Sequence, residues 1–429
     1  MRFTSLADWL GWLEQSHPKE IDLGLDRIRQ VAERLDLLSP RAKVITVAGT
    51  NGKGSCVAAA AGLLQTAGFS AGVYTSPHLL HYAERIQING QPVADELICA
   101  AFEIISTVTT EISLTYFEYG TLAALVIFKQ QDVDYIVLEV GLGGRLDAVN
   151  IIDADVAVIT SIAIDHQDWL GDNREEIGRE KAGILREQQL FVCADPNPPQ
   201  TILALAKQLN TAAHFIARDF SFSTQEKTWS WHGKTATGDD VHLPSMRVPH
   251  LPLPSMAAAL QVVQLLNIEL MTEQIEHCLL NLVLAGRFQK LVYHGREFIL
   301  DVAHNPAATE YFAKRLRAEP AAGKTFAIVA MMSDKDRSAS LANLAGLVNE
   351  WYLLDLADVP RAATPIAVAE NLAVLNLQMK AAGDIQSLMR EILTHAQPQD
   401  RILVFGSFFT VAAALAYIQA DSQVSRGFQ

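Results

Sequence analysis

Residues Val44 to Ser55 run from an apolar stretch into Gly49-Thr50-Asn51-Gly52-Lys53-Gly54-Ser55 and then into an alanine-rich segment. A strand, a glycine turn and a helix start in that order make a phosphate cradle. The glycines let backbone N–H groups approach a polyphosphate, and the helix directs its positive end at it. Lys53 is placed to reach the terminal phosphates, and Ser55 is the natural Mg²⁺ ligand. The strict pattern Gly-x4-Gly-Lys-Ser/Thr is not met, because Val47 stands at the first glycine position and Gly54 separates Lys53 from Ser55. Glu139 ends a second apolar stretch and is followed by Gly141, Gly143 and Gly144, so a Mg²⁺ role is favoured over a merely solvated carboxylate. His166, after Asp165, reads as a metal ligand or a packed imidazole. Lys181, by spacing alone, is an ordinary helix-surface lysine. Asp301 and His304 follow another apolar run, where polar groups either serve a site or cap a helix. Arg287 is either a solvated linker charge or a guanidinium able to swing onto phosphate oxygens.

Positioning these groups requires alternating strands and helices. Apolar strand candidates at 44–48, 71–75, 134–140, 155–163 and 190–194 alternate with helical stretches, predicting a mainly parallel sheet covered by helices. Ligands of such sheets bind beyond the carboxyl ends of the strands. The turn at 49–55, Ser76-Pro77-His78, the segment Glu139 to Asp147 and Asp165-His166 all fall at those ends. Residues 195–254 break the alternation. Phe220 to His242 reads as a small antiparallel flap with a turn at His232-Gly233-Lys234 and no chemistry of its own. Helices at 255–266 and 272–282 follow, and Ala285-Gly286-Arg287 reads as a hinge. A second series of strands at 298–302, 326–331, 351–354 and 402–405 predicts a smaller Rossmann-like α/β domain. The expected division is 1–284 and 285–429.

With 429 residues the chain suits two domains, and half of it is apolar. A formal charge of −14 disfavours a nucleic-acid partner. The longest apolar run, 402–418, is interrupted by Gly406 and Ser407, so no membrane span is expected. Met1 to His17 lacks the basic start and apolar stretch of a signal peptide. Cys56, Cys99, Cys193 and Cys278 show no paired metal spacing. A cytoplasmic monomer is the expectation.

Ile21 to Arg27, Gly49 to Ser55, Glu139 to Asp147, Ala285-Gly286-Arg287-Phe288-Gln289, Asp301 to Pro306 and Phe405 to Thr410, in this order, resemble the folylpolyglutamate and dihydrofolate synthases of the Mur ligase superfamily. The resemblance spans nearly the full length, and Gly54 favours this branch over the cell-wall Mur ligases. It implies that Thr50, Asn51, Gly52, Lys53, Gly54 and Ser55 hold the phosphates of ATP. It also implies that Ser55, Ser76, Glu139 and His166 ligate two Mg²⁺ ions, and that Lys181 is a carbamoylated lysine completing the second site. Lys53, Lys181 and His166 are then the catalytic set. Arg287 and Asp301 would contact ATP, whereas Ser255 stands where the family often has a nucleotide-contacting Asn. Asp22-Leu23-Gly24, Thr115, Tyr116, Phe117, Glu118 and Leu146-Asp147-Ala148 resemble a dihydropteroate pocket, in which Phe117 stacks on a pterin and Asp147 accepts its N–H groups. His304 and Ser407 fall to substrate binding in the second domain.

The implied reaction joins L-glutamate to dihydropteroate, and further glutamates to reduced folates, through an acyl phosphate made with ATP. Two other readings compete. One is a Mur-type ligase acting on a cell-wall nucleotide precursor. The other is a nucleotide-gated binding protein, which would have no need of a second metal at a substrate carboxylate.

Overall fold

The β-branched run at 44–48 becomes the middle of a sheet in the computed structural model, which describes residues 2–109 and 111–426. Strands β1 (Lys43–Ala48), β2 (Ala71–Tyr74), β3 (Ile86–Ile88), β4 (Gln91–Pro92), β5 (Tyr135–Glu139), β6 (Val156–Ile159), β7 (Leu190–Cys193) and β8 (Ala212–Phe215) lie in the order β4-β3-β2-β5-β1-β6-β7-β8. Only β2–β3 and β3–β4 pair antiparallel. Val47 of β1 lies opposite Glu139 on β5 and Val158 on β6, so three strands end at one level. The phosphate loop, Glu139 and Thr160 therefore emerge together.

Helix Lys53–Thr66 follows β1. Its small residues Ala59, Ala60 and Ala61 are buried and let it lie close to the sheet and to helices Leu253–Leu265 and Thr272–Asn281. The flap consists of β9 (Ser221–Gln225), β10 (Thr228–Lys234) and β11 (Asp240–Arg247) in an antiparallel sheet. The turn expected at His232-Gly233-Lys234 is instead part of β10, and the chain reverses at Thr235–Asp239, where Thr235 N–H donates to the Asp239 carbonyl at 2.9 Å. Gly233 is a packing glycine: a Cβ there would come within 2.5 Å of Gln261 Oε1 and strike the Trp231 ring.

Contacts divide the chain into Met1–Leu282 and Val283–Gln429. The second unit carries β12 (Gln289–Tyr293), β13 (Arg296–Asp301), β14 (Thr325–Val329), β15 (Glu350–Leu354), β16 (Met379–Gly383) and β17 (Arg401–Phe405), ordered β12-β13-β17-β14-β15-β16. Only the hairpin β12–β13 is antiparallel, and Phe288, Phe312, Trp351 and Phe405 fill the core. Among the described residues, no helix is long and apolar enough to cross a membrane.

Candidate active site

The phosphate loop is shaped by glycine and by what its carbonyls touch. Gly52 is left-handed at φ +84 and caps helix Lys53–Thr66, a conformation that favours glycine. Gly49, at φ +146, approaches Thr160 so closely that a Cβ would lie 3.1 Å from its backbone nitrogen. The Gly49 carbonyl accepts from Lys53 Nζ at 3.1 Å and Lys181 Nζ at 3.0 Å. The Asn51 carbonyl accepts from Thr160 Oγ1 at 2.8 Å and Ser161 Oγ at 3.1 Å, and the Gly52 carbonyl accepts from Ser255 Oγ at 3.1 Å. In a trans peptide the C=O and the following N–H point in opposite directions. Tying back the carbonyls of Asn51 and Gly52 therefore turns the N–H groups of Gly52 and Lys53 away from these partners, as an anion-binding loop requires.

Glu139 is buried at the end of β5. Its Oε2 accepts from Ser76 N–H at 3.4 Å and lies 3.7 Å from where a Cβ on Gly54 would be. The carboxylate thus sits beside the positive end of helix Lys53–Thr66, in whose first turn Ser55 is buried. Ser55, Ser76 and Glu139 are brought together. Among the described residues, no group of three or more His, Cys, Asp and Glu side chains could hold a metal. A single carboxylate beside hydroxyls and a phosphate loop fits Mg²⁺, which is commonly held by one or two carboxylates plus substrate phosphates.

His166 heads the short helix Gln167–Leu170 in a left-handed conformation, φ 53, with its N–H on Asp165 Oδ1 at 2.9 Å. For a residue with a Cβ this backbone is uncommon, and it sets His166 off from the strand that precedes it. Lys181 lies on helix Arg174–Ala182 and is 4 % exposed, not the surface lysine that spacing suggests. Burial and the nearby Lys53 charge push its amine down to about 7, against the opposing pull of Asp165 and Asp147. Two lysines thus meet on one carbonyl, and burial of the deeper one favours its neutral form.

A second cluster surrounds Phe117. Thr115 and Glu118 form a capping box at the start of helix Tyr116–Gln130, which fixes the first turn carrying Tyr116 and Phe117. The Phe117 ring stacks on Tyr74 with centroids 5.9 Å apart, and a Cβ on Gly141 would be 2.8 Å from it. Tyr116 meets Tyr82 edge-on at 5.6 Å. Arg27 joins Asp22 at 2.7 Å to Glu118 at 3.2 Å, so segments far apart in the chain converge. Leu23 and Gly24 follow Asp22 in partly buried positions. Asp147, between Leu146 and Ala148, accepts from Leu142 N–H at 2.7 Å and Val149 N–H at 3.1 Å. Burial nevertheless raises its carboxyl to about 6, while those N–H groups and Lys53 oppose the rise. Lys53 is thereby felt at both clusters.

The remaining residues belong to the second unit. Arg287 lies over the Phe408 ring at 4.9 Å. Asp301, at the end of β13, accepts from Phe288 and Ala303 N–H groups, both at 2.8 Å; burial raises its carboxyl and the Arg287 charge opposes this. His304 Nδ1 donates to the Val302 carbonyl at 2.8 Å, and Ser407 Oγ is hydrogen-bonded to Thr410 Oγ1 at 2.7 Å.

Sequence reasoning missed Thr160, Ser161 and Arg27 as parts of these clusters. The signal existed for the first two: hydroxyls at the carboxyl end of β6. The expected strand 155–163 stops at Ile159 because the next residues turn to hold the loop, Thr50 Oγ1 donating to the Ala163 carbonyl at 3.1 Å and accepting from Ala163 N–H at 3.0 Å.

The Mur ligase middle domain matches residues 47–250, and the Mur ligase glutamate ligase domain matches residues 286–408. The chain is 42% identical over 415 residues to the dihydrofolate synthase/folylpolyglutamate synthase of Escherichia coli (strain K12), covering 97% of this chain and 96% of that protein. The structure of E. coli FolC in complex with DHPP and ADP aligns with TM-score 0.92 and 42% identity, covering 98% of this chain and 99% of that one. A bifunctional folylpolyglutamate synthase/dihydrofolate synthase with Mn, AMPPNP and L-glutamate bound aligns with TM-score 0.89 and 44% identity, covering 97% and 98%. A glycine-shaped turn with its carbonyls tied back, a buried carboxylate beside it and a full-length likeness of this degree lead to one assignment: the chain belongs to the dihydrofolate synthase/folylpolyglutamate synthase family of Mur ligases.

Proposed function

We propose that this chain uses ATP to ligate L-glutamate to 7,8-dihydropteroate, giving dihydrofolate, and to extend reduced folates with further glutamates, as a monomer in the cytoplasm. The observation that carries this is the convergence, within the unit Met1–Leu282, of the phosphate loop, the buried Glu139 and the Phe117–Asp147 cluster. A carboxylate oxygen of dihydropteroate attacks the γ-phosphorus and ADP departs. The glutamate nitrogen then attacks the acyl carbon, loses a proton, and expels phosphate that carries the former carboxylate oxygen.

Lys53 and the Gly52 and Lys53 N–H groups hold the transferring phosphoryl oxygens, with Thr50 and Asn51 shaping the loop. Ser55, Ser76, Glu139 and His166 would hold Mg²⁺, with Lys181 in its carbamoylated form completing a second site. Bound Mg²⁺ would supply positive charge that offsets the repulsion between the phosphate and carboxylate anions. The lowered amine of Lys181 suits carbamoylation, because only neutral nitrogen forms an N–C bond with CO₂, releasing one proton. Phe117 and Asp147 receive the pterin, aided by the Asp22–Gly24, Thr115–Glu118 and Leu146–Ala148 segments. Residues 285–429 form the glutamate ligase domain, with Arg287 and Asp301 assigned to ATP and His304 and Ser407 to substrate binding.

Phosphate release should be measured with Mg²⁺ and ATP in the presence of dihydropteroate, tetrahydrofolate or a cell-wall nucleotide precursor, each with and without L-glutamate. Sustained release is expected only when glutamate accompanies a folate-type acceptor. Release driven by the cell-wall precursor, or by ATP alone, would overturn the proposal.

A further inference from the structure

The flap carries none of the residues assigned above, yet it is fastened to the helix whose first turn touches the phosphate loop. On β10, Trp231 Nε1 donates to the Ala257 carbonyl at 3.2 Å. Gln261 clasps the Lys234 backbone, accepting from its N–H at 3.2 Å and donating to its carbonyl at 2.7 Å. Trp231 and Gln261 are both fully buried, and Gly233 gives them the room to meet. Toward the start of the same helix, Ser255, 3 % exposed, donates to the Gly52 carbonyl at 3.1 Å.

That carbonyl already accepts the helical bond from Cys56 N–H at 3.0 Å, so it does not need the serine for satisfaction. What the hydroxyl adds is direction. Gly52 and Gly54 flank Lys53 and leave its backbone more rotational freedom than any other residue type would. Fixing the Gly52 carbonyl fixes the Lys53 N–H, because both belong to one rigid peptide plane.

We propose that the flap and helix Leu253–Leu265 form a brace for the phosphate loop, with Ser255 as the positioning residue that aims the Gly52–Lys53 peptide. Ser255 thus acts on ATP through the loop and not by touching the nucleotide. The inference rests on the loop being the ATP site. The flap, which carries no reacting group, acquires a role in setting affinity for the nucleotide.

The test compares the full chain with Ser255→Ala, Ser255→Thr and Gln261→Met by calorimetric titration with Mg·ATP and by steady-state kinetics, with thermal unfolding alongside. Losing one directing hydrogen bond should raise Kd and KM for ATP about tenfold in Ser255→Ala and leave KM for glutamate unchanged. Ser255→Thr, which keeps the hydroxyl, should bind like the unaltered protein. Gln261→Met should weaken ATP binding in the same direction, and adding Ser255→Ala to it should cost less than the sum of the two. Unchanged ATP binding in Ser255→Ala, or equal losses for ATP and glutamate with a lowered Tm, would overturn the brace. If Gln261→Met does not fold, the Ala and Thr variants at Ser255 decide alone. Failure of the unaltered protein to bind Mg·ATP would instead remove the functional reading on which the brace rests.

Discussion

The phosphate loop offers a ligand mostly backbone, whereas the region around Phe117 and Asp147 offers side chains. In the loop, Thr160, Ser161, Ser255, Lys53 and Lys181 all donate to carbonyls, which fixes the orientation of the turn's peptide planes. Around Phe117, an aromatic face stacked on Tyr74 and packed over Gly141 stands near a buried carboxyl. On the proposed function, the first region would work by charge and fixed dipoles, so losing one cation there would be drastic. The second would work by contact area and a few hydrogen bonds, so its losses would be graded and depend on the substrate.

The contrast breaks most sharply at Lys53. Lys53→Ala should lower turnover by roughly three orders of magnitude or more, since one preorganised charge is removed from a transferring phosphoryl group. Thermal unfolding should be nearly unaltered, and near-normal turnover with ATP would discard the loop assignment.

Lys181 comes next. Lys181→Ala should be inactive and partly restored by formate, acetate or propionate, whose carboxylates replace that of the carbamate. An active variant indifferent to these acids makes Lys181 a structural lysine.

Asp147 sharpens the comparison through pH. Its folded pKa, about 6, exceeds the ordinary 3.8, so its stabilising contribution is complete below 3.8 and is lost as pH rises through about 6. Relative to Asp147→Asn, the unaltered protein should therefore gain stability as pH falls from 7 to 4, by no more than about 3 kcal/mol. Denaturant midpoints across that range provide the check, and parallel curves for the two proteins would count against the buried carboxyl.

Phe117→Ala should cost roughly 1 to 3 kcal/mol in kcat/KM for dihydropteroate through lost stacking, and less for tetrahydrofolate. Equal losses on both substrates would point to one shared pocket.

The two regions also differ in how readable they are. The loop is legible because its glycines, Lys53 and Ser55 are contiguous and follow a run of Val and Ile. The strands missed by sequence reading, β3, β4, β8, β12 and β16, lie at or next to sheet edges. There one face or more meets solvent, and the continuous apolar run of a doubly buried strand is absent. Lys181 shows the limit at the site itself: its neighbours along the helix are charged, and only the tertiary approach to Gly49 makes it buried. The Phe117 region draws on residues near 22, 74, 117 and 147, which no local pattern unites. Only the resemblance named Phe117 and Asp147, and Arg27, which ties Asp22 to Glu118, was seen only once the chain was folded.

The most direct test of the central claim follows one oxygen. Dihydropteroate carrying ¹⁸O in its carboxylate should be turned over with ATP, Mg²⁺ and L-glutamate, and the released phosphate analysed by mass. Attack of the carboxylate on the γ-phosphorus followed by attack of the glutamate nitrogen on the acyl carbon transfers one labelled oxygen to phosphate for every amide formed. Amide formation with unlabelled phosphate would contradict the acyl-phosphate route, and phosphate release without amide would contradict ligation itself.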